Sequence, residues 1–282
     1  MTPLDIKWVH VELSSNCNAW CPSCPRNVNG FGLSPDLIVQ DLSLGRLEQI
    51  LSDLPNLHGI QFCGNYGDPI VAKNIMEAID LAMNYAEKIQ IHTNGSIRST
   101  EWWHSLGTKL KNINHDIWFG IDGIDDVHSI YRQGTSYEKI IENAKAFIDA
   151  GGTATWQFIP YSHNEHQIRD CLKISQAMGF KKFKLTKVHR NNKIVRHYKT
   201  GAEFNLNPPT EIIHMMRMPQ THTNVKPIDC MHISQPGIYI SASGELSYCC
   251  YREKETKFDT LDELFYNAVD FSNMTCLKEC GS

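Results

Sequence analysis

Between residues 6 and about 185, short apolar runs alternate with stretches in which apolar residues recur every three or four positions. The runs, which predict strands, are IKWVHVEL, HGIQFCG, KIQIHTNG, DIWFGIDG, ATWQFIP and KKFKLTK. Strands that alternate with helices pair in parallel through right-handed crossovers. The alternation therefore predicts an α/β fold, either a partial (β/α)6 TIM-like barrel or an open doubly wound sheet. In both, functional groups gather where the strands end.

The alternation stops after residue 185, and the composition changes with it. Residues 186–228 are polar, contain prolines and are weakly periodic, which is typical of a linker or a lid. Residues 237–250, GIYISASGELSYCC, predict a β-hairpin that turns at its central Ser-Gly pair. We therefore predict three parts, which are a barrel at 1–185, a basic linker or lid over its mouth at 186–228, and a small cysteine-rich extension at 229–282.

The formal net charge of −4 and the lack of long apolar segments argue against several classes of function. A negative chain has no general affinity for nucleic acid or for an anionic membrane surface. No segment approaches the ~20 apolar residues of a membrane helix, and the first residues lack a signal-peptide pattern. We therefore expect a cytoplasmic protein that binds neither DNA nor membrane. The 10 cysteines of such a protein are more typical of metal binding or catalysis than of disulfides.

Three of these cysteines, Cys17, Cys21 and Cys24, lie close together just after the first predicted strand. Pro22 and Pro25 disfavour a helical conformation of the residue before each of them, so we expect a loop. Thiolates select zinc, Cu(I) or iron–sulfur clusters. A [4Fe–4S] cluster has four ligand positions, so three cysteines leave one iron open to a further ligand. A zinc site that recruits a distant fourth ligand is the alternative.

This Cys-x3-Cys-x2-Cys pattern after a first strand resembles that of the radical S-adenosylmethionine (SAM) superfamily. Three further motifs, at the ends of the next three predicted strands, follow in the order of that superfamily. They are CGNYGDP (63–69), HTNG (92–95) and IDGIDDVHSIYRQG (121–134). Each motif alone has a plainer explanation as a turn or a loop. Their common order favours the superfamily.

The resemblance implies the partial barrel and a set of cofactor-binding residues. The three cysteines would hold a [4Fe–4S] cluster whose open iron binds the amino and carboxylate groups of SAM. The residues implied to contact SAM itself are Gly67, Asp68, Pro69, Asn94, Asp122 and Arg132. Asp68 stands where the superfamily's Gly-Glu-Pro type of motif has glutamate, which shortens its reach toward the SAM ammonium by one methylene.

Cysteines near the C-terminus resemble the auxiliary-cluster extensions of the same superfamily, called twitch in their short form and SPASM in their long form. We predict Cys230, Cys249, Cys276 and Cys280 as ligands of a second [4Fe–4S] cluster. Cys249 and Cys250 are expected on opposite faces of a strand, so that only one can ligate, and the spacing favours Cys249. Four thiolates also suit a closed zinc site, which is the alternative.

Two weaker signals concern the substrate. No acidic residue occurs between Cys171 and Ala202, where lysines and arginines accumulate. In this stretch Lys187 and His189 are candidates to contact a phosphate or carboxylate of a substrate, unless the stretch is simply a solvated basic face. Cys63, at the end of the second predicted strand, could return a hydrogen atom to a substrate radical, as in radical SAM epimerases. A small buried apolar residue is the plainer interpretation of this cysteine.

Together these features predict a radical SAM enzyme with two [4Fe–4S] clusters, SAM and a flavodoxin- or ferredoxin-type electron donor. The resemblance implies reductive cleavage of SAM to a 5′-deoxyadenosyl radical that abstracts hydrogen from carbon. We expect oxidation or rearrangement of a small polar or anionic substrate. Radical modification of a ribosomally made peptide is the alternative within the class. A non-catalytic iron–sulfur or zinc protein is the alternative outside it.

Overall fold

The computed structural model of the chain describes residues 2–112, 114–186, 194–210, 236–252 and 256–266. Eight of its strands form one sheet in the order β10-β9-β1-β2-β3-β4-β5-β6, and β7 pairs with β8 in a separate hairpin. The strands are β1 Trp8–Val11, β2 Gly59–Phe62, β3 Lys88–Thr93, β4 Asp116–Gly120, β5 Ala154–Phe158, β6 Lys182–Leu185, β7 Ile194–Arg196, β8 Glu203–Asn205, β9 Gly237–Ile240 and β10 Leu246–Ser247.

Helices separate the strands of the large sheet, as the alternation predicted. They are α1 Leu44–Ser52, α2 Ile75–Met83, α3 Thr100–Lys109, α4 Asp126–Tyr131, α5 Tyr137–Asp149, α6 Ile168–Met178 and α7 Leu261–Tyr266. A serine side chain caps the first turn of α1, α3 and α5, and α6 ends where Gly179 adopts the left-handed conformation at φ +88°. All six predicted strands are present, and the predicted α/β class is confirmed.

The sheet is mostly parallel, and its registers place successive strand ends at one edge. Strand β1 pairs in parallel with both β2 and β9, and β5 pairs in parallel with both β4 and β6. The predicted hairpin is confirmed, because β10 runs antiparallel to β9 and Gly244 turns between them at φ +83°. The sequence did not indicate that β9 continues the sheet beside β1.

The chain divides into two compact units. Unit 1 comprises Met1–Asn16, Val39–Gln90 and Thr221–Ser282, and unit 2 comprises Cys17–Ile38 and Ile91–Gln220. The core of unit 1 contains fully buried aliphatic side chains on β1, β2, β9 and α2. The core of unit 2 is aromatic, with the rings of Trp103, Phe119 and Phe147 in contact. The domain boundaries predicted from the sequence stay predictions. Among the described residues no helix is long and apolar enough to cross a membrane.

Candidate active site

The cysteine loop, residues 17–24, belongs to unit 2 and is built from turns rather than helix. The Cys24 N–H donates to the Cys21 carbonyl at 3.0 Å, and the Asn27 N–H donates to the Cys24 carbonyl at 2.9 Å. The Asn27 side chain also donates to the Cys21 carbonyl, at 2.9 Å. These hydrogen bonds fix the backbone conformation at Cys21 and Cys24.

The three thiols of the loop pack against one apolar cluster. Cys21 is buried within this cluster, and Cys17 and Cys24 lie against it. Its other buried members are Ala19, Tyr131, Tyr161, Val195 and Leu206. Burial raises the pKa of the Cys21 thiol to about 12, and the charge of Arg132 opposes that shift. In the part of the chain that the structure describes, no cysteine forms a disulfide.

Asn94 lies directly after β3 and is almost fully buried beside the first thiol. Its side-chain amide N–H2 group lies 3.7 Å from the Cys17 sulfur and 3.0 Å from the side-chain oxygen of Asn18. Its carbonyl oxygen accepts from the backbone and hydroxyl of Ser96, at 3.0 and 2.6 Å. The amide is therefore oriented with its donor toward the sulfur. The sequence motif indicated Asn94, but not Asn18 or Ser96.

Asp122 and Arg132 form a buried ion pair after β4. The Arg132 Nε donates to Asp122 Oδ2 at 2.6 Å, and the other carboxylate oxygen accepts from the Ile159 N–H at 2.6 Å. Burial raises the pKa of Asp122, and the guanidinium opposes that shift. Burial alone would lower the pKa of Arg132, but the carboxylate raises it overall. The guanidinium therefore stays charged.

His128 supports this pair from within the same motif. It is fully buried, and burial lowers its pKa to about 3, so the imidazole is neutral. Its Nδ1 accepts from the Asp122 N–H at 3.1 Å, which leaves Nε2 to donate to Thr135 Oγ1 at 2.9 Å. The Thr135 hydroxyl then donates to the Arg132 carbonyl at 2.6 Å. His128 and Thr135 thus link the backbone N–H of Asp122 to the backbone carbonyl of Arg132.

Gln133, which the sequence reasoning missed, connects the same motif to the cysteine loop. Its carbonyl accepts from the Trp20 N–H at 2.7 Å, and its side-chain oxygen accepts from the Tyr198 N–H at 2.9 Å. The rings of Trp20 and Tyr198 stack at 5.5 Å with an interplanar angle of 10°. Gln133 is 1% exposed. The sequence signal that could have identified Gln133 is its position next to the predicted Arg132.

In unit 1, the Gly67–Asp68 motif is shaped by a carboxylate that the sequence reasoning also missed. Glu12 is 1% exposed, and its Oε1 accepts from the N–H groups of Tyr66 and Gly67 at 2.6 and 2.9 Å. Its other oxygen accepts from the Tyr239 hydroxyl at 2.5 Å. A Cβ on Gly67 would lie 1.8 Å from the Ser14 carbonyl oxygen, so only glycine fits.

Asp68 and Pro69 form a short turn at this motif. The Asp68 Oδ1 accepts from the Ile70 N–H at 3.0 Å and caps the 3-10 turn Pro69–Val71. The Asp68 N–H donates to the carbonyl of Asn16, which directly precedes the first cysteine in the chain, at 2.8 Å. One oxygen of this carboxylate is therefore used to build its own turn. Its predicted contact with SAM stays a prediction.

The remaining predicted residues differ in how far the structure describes them. Cys230, Cys276, Cys280, Lys187 and His189 lie outside the described residues. The expected strand at Cys249 and Cys250 is wrong, because β10 ends at Ser247 and a 3-10 turn begins at Cys250, so alternation along a strand cannot separate the two thiols. Cys63 follows β2 and is half-buried, with its carbonyl accepting from His10 Nε2 at 2.5 Å.

The donor set of the cysteine loop suits a soft metal centre. Three thiols on one short loop, packed against one apolar cluster, would be held as thiolates by iron or zinc, which lowers the pKa that burial raises. Among the described residues, no three His, Cys, Asp or Glu side chains are gathered as a metal ion would require. The three thiols therefore suit a cluster by their chemistry, and the described side chains do not show a preformed metal geometry.

Similarity to known proteins covers almost the whole chain in structure and about half of it in sequence. Streptococcus suis SuiB bound to S-adenosylmethionine matches with a TM-score of 0.68 and 12% identity, over 98% of this chain and 72% of SuiB. The anSMEcpe protein with bound AdoMet and Cp18Cys peptide matches with a TM-score of 0.62 and 13% identity, over 97% of this chain and 87% of anSMEcpe.

In sequence, 151 residues are 28% identical to 7,8-dihydro-6-hydroxymethylpterin dimethyltransferase of Methanocaldococcus jannaschii. The match covers 48% of this chain but only 27% of that relative. No family model matches the sequence. The resemblance that the cysteine loop and the three strand-end motifs indicated is thus confirmed in the fold, and this chain has the partial β/α-barrel fold of radical SAM enzymes.

Proposed function

We propose that the chain is a radical SAM enzyme in which Cys17, Cys21 and Cys24 hold a [4Fe–4S] cluster and SAM is the further ligand. The observation that carries the proposal is that Asn94 and Arg132, from two separate motifs, both lie beside the cysteine loop in unit 2. Asn94, after β3, directs its amide donor at Cys17, and the charge of Arg132, whose motif follows β4, acts on Cys21. Two residues that the resemblance assigns to SAM therefore lie beside thiols of the cysteine loop.

The cluster, when bound and reduced, would supply the electron that cleaves SAM to a 5′-deoxyadenosyl radical and methionine. The chain's own residues bind and orient SAM. Arg132 keeps its charge beside the loop, which suits a carboxylate, and Asp122 already accepts hydrogen bonds on both oxygens. Asp122 therefore serves to orient Arg132, while Tyr131 and Tyr161 exclude water from the Cys21 thiol. The contact of Gly67 and Asp68 with the SAM ammonium, which the resemblance implies, stays a prediction.

The test is anaerobic reconstitution with iron and sulfide, followed by addition of dithionite and SAM and measurement of 5′-deoxyadenosine. We expect product from the wild type and none from the Cys17/Cys21/Cys24→Ala variant. Cys171→Ala is the matched control, because Cys171 is a buried thiol of α6 in the same unit. Loss of product in this control as well would show that cysteine loss acts through folding.

For the substrate, we propose oxidation or rearrangement of a small polar or anionic molecule. A second [4Fe–4S] cluster, ligated by Cys230, Cys249, Cys276 and Cys280, would take an electron back from the substrate or anchor it, and a flavodoxin- or ferredoxin-type protein would donate the first electron. About eight irons per chain are expected for two clusters. Two zincs and no iron would instead support a non-catalytic scaffold.

Peptide modification is the second candidate, because two similar structures contain peptides. SuiB has been determined with its precursor peptide SuiA, and anSMEcpe with the Cp18Cys peptide. The candidates differ in what stimulates SAM cleavage by the reconstituted protein. Stimulation by short peptides and not by small carboxylates or phosphate esters would favour the peptide, and the reverse would favour the small molecule.

A further inference from the structure

In unit 2, the face of the sheet that carries Asn94 and Asp122 continues away from the strand ends as a row of polar side chains. Side chains alternate along a strand, so residues two apart share a face. His92 therefore lies on the face of Asn94, and Trp118 lies on the face of Asp122. We call this row the polar face, and it consists of His92, Trp118, Gln157, Lys182 and Lys184.

The register of β5 and β6 places two lysines on the polar face. Thr155 pairs with Lys182, and Gln157 pairs with Lys184. Phe183, between the lysines, points the other way and packs its ring against aromatic side chains on the opposite face of β5. Both lysines are exposed, and neither forms an ion pair within the described part of unit 2.

Trp118 forms a fixed support for one of these lysines. Its ring stacks on the imidazole of His92, with ring centroids 4.5 Å apart and an interplanar angle of 19°. Its indole N–H donates to Asp116 Oδ2 at 2.7 Å. The ammonium of Lys184 lies 5.9 Å from the ring centroid, within the range of a cation–π contact. The indole is thus held by two partners and limits where the ammonium can go.

The two carboxylates beside the polar face are buried and hydrogen-bonded, whereas its two lysines are exposed. Asp116 accepts from Trp118 and from the Thr155 hydroxyl, and Asp122 accepts from Arg132. The charge of Asp122 is offset by Arg132, and Asp116 is only 8% exposed, so the two lysines are the exposed charged groups of the polar face. The two lysines therefore complement an anionic ligand.

The polar face also lies close to the arginine of the candidate site. A Cβ on Gly120 would lie 2.6 Å from an Nη atom of Arg132, so this glycine makes room for the guanidinium on the same face of β4. Gly120 is two residues from Trp118, which is about 7 Å along a strand. The registers place Gly120, Gln157 and Lys184 at one level on three neighbouring strands, which spans about 10 Å, a distance that a molecule of a few carbon atoms can bridge.

We propose that the polar face binds the anionic group, a carboxylate or a phosphate, of a small substrate, with Lys184 and Lys182 as its cationic contacts. The inference rests on the proposed radical SAM function and specifies its substrate class. Lys184, supported by Trp118 and His92, is the main contact. Gln157, which pairs with Gly120 on one side and with Lys184 on the other, contributes a polar amide whose N–H2 group also donates to the Thr186 hydroxyl at 3.0 Å.

The probes are inorganic phosphate and malonate, added separately to the reconstituted full chain at constant ionic strength with chloride. Acetylation of individual lysines by a small reagent is followed by mass spectrometry. We expect either anion to slow acetylation of Lys182 and Lys184 about threefold or more, because a charge-assisted contact excludes the reagent. Lys181, which is also exposed and lies next to β6, is the internal control and should not be protected.

Two variants complete the test. In Lys184→Gln, the anion concentration that protects Lys182 should rise about tenfold, as expected for the loss of one charged contact. In Lys181→Gln it should stay unchanged. Equal protection of Lys181, or no protection by either anion, would overturn the proposal. Protection by phosphate alone or by malonate alone would retain it and identify the group.

Formation of 5′-deoxyadenosine by the wild type is measured in the same preparations. If an iron-loaded protein binds anions but cleaves no SAM with any tested substrate, the proposed function fails while the anion site stands. If it cleaves SAM but shows no protection of the lysines, the anion site fails while the proposed function stands.

Discussion

Glu12 and Asp122 are both buried carboxylates just beyond the end of a strand, but they are stabilised in different ways. Glu12, in unit 1, accepts hydrogen bonds from two backbone N–H groups and a tyrosine hydroxyl, all of them uncharged. Asp122, in unit 2, accepts from one backbone N–H and from the guanidinium of Arg132. The first carboxylate shapes a loop, whereas the second fixes the position of a positive charge.

The two motifs therefore contribute different things to the protein. The Gly67 motif contributes a fixed backbone conformation, because the glycine has no room for a side chain and its N–H donates to Glu12. The Arg132 motif contributes a charged guanidinium that is largely buried, with 16% of the arginine side chain exposed. Substitutions in the two regions should therefore fail for different reasons, electrostatic in unit 2 and steric in unit 1.

The largest effect is expected from Arg132→Met, which leaves Asp122 buried without its cation. Removing one partner of a buried ion pair costs about 3–5 kcal/mol of the free energy of unfolding. The measurement is chemical denaturation at neutral pH. Lys145→Met is the matched control, because Lys145 forms an exposed ion pair with Asp149 in the same unit, and such pairs contribute below about 0.5 kcal/mol.

The double variant Arg132→Met/Asp122→Leu shows whether the cost is electrostatic. With the charge removed from both partners, much of the lost stability should return. If the double variant is as unstable as the sum of the two single variants, the pair contributes through packing, and the contrast between the two carboxylates is not one of charge.

A smaller, steric effect is expected from Gly67→Ala. The added Cβ would meet the Ser14 carbonyl oxygen at 1.8 Å, and overpacking of this kind costs about 1–3 kcal/mol. Gly45→Ala is the control in the same unit, because a Cβ there meets no atom within 4 Å and Gly45 lies inside α1. Alanine in this first turn of the helix should raise the free energy of unfolding by up to about 0.5 kcal/mol. Equal effects of the two substitutions would contradict the steric account.

The sequence predicted the elements and the motif residues better than the contacts that fix them. Alternation of apolar runs with helical patterns is a local signal, and it identified all six strands between residues 6 and 185. Asn94 and Arg132 were found because their motifs occur in a fixed order along the chain. Pairing of β9 with β1 joins segments more than 200 residues apart, and no local pattern specifies it.

The supporting residues were missed for a related reason. Glu12, Gln133 and His128 each act through a backbone group or side chain that is distant in sequence or placed by a turn. A polar residue in a sequence does not reveal whether it is buried. Cys249 and Cys250 show the opposite error, because alternation along a strand was applied beyond the residue at which β10 ends.

The smallest effect is expected from Glu12→Gln as a function of pH, and it tests directly how the two carboxylates differ. Burial raises the pKa of Glu12 above its usual 4.5, and the Tyr239 hydroxyl and the loop N–H groups oppose the shift without cancelling it. The folded chain therefore holds this proton to higher pH than the unfolded chain. Below pH 4.5 both states are protonated, and Glu12 makes no pH-dependent contribution there.

As the pH rises from 4.5 through the raised pKa, wild-type stability should fall, because the unfolded state releases the proton first. The amide introduced by Glu12→Gln cannot titrate. At low pH the variant should therefore differ from the wild type by within about 1 kcal/mol, and it should gain relative to the wild type as the pH rises. The measurement is the difference in free energy of unfolding between pH 4 and pH 8.

Tyr239→Phe should move this fall in stability to a different pH range. The tyrosine hydroxyl is a donor that lowers the pKa of Glu12, so its removal should raise that pKa further and extend the fall to higher pH. A wild-type stability that instead rises with pH relative to Glu12→Gln would mean that the uncharged donors alone stabilise the charged carboxylate. The contrast with Asp122, which relies on a guanidinium, would then disappear.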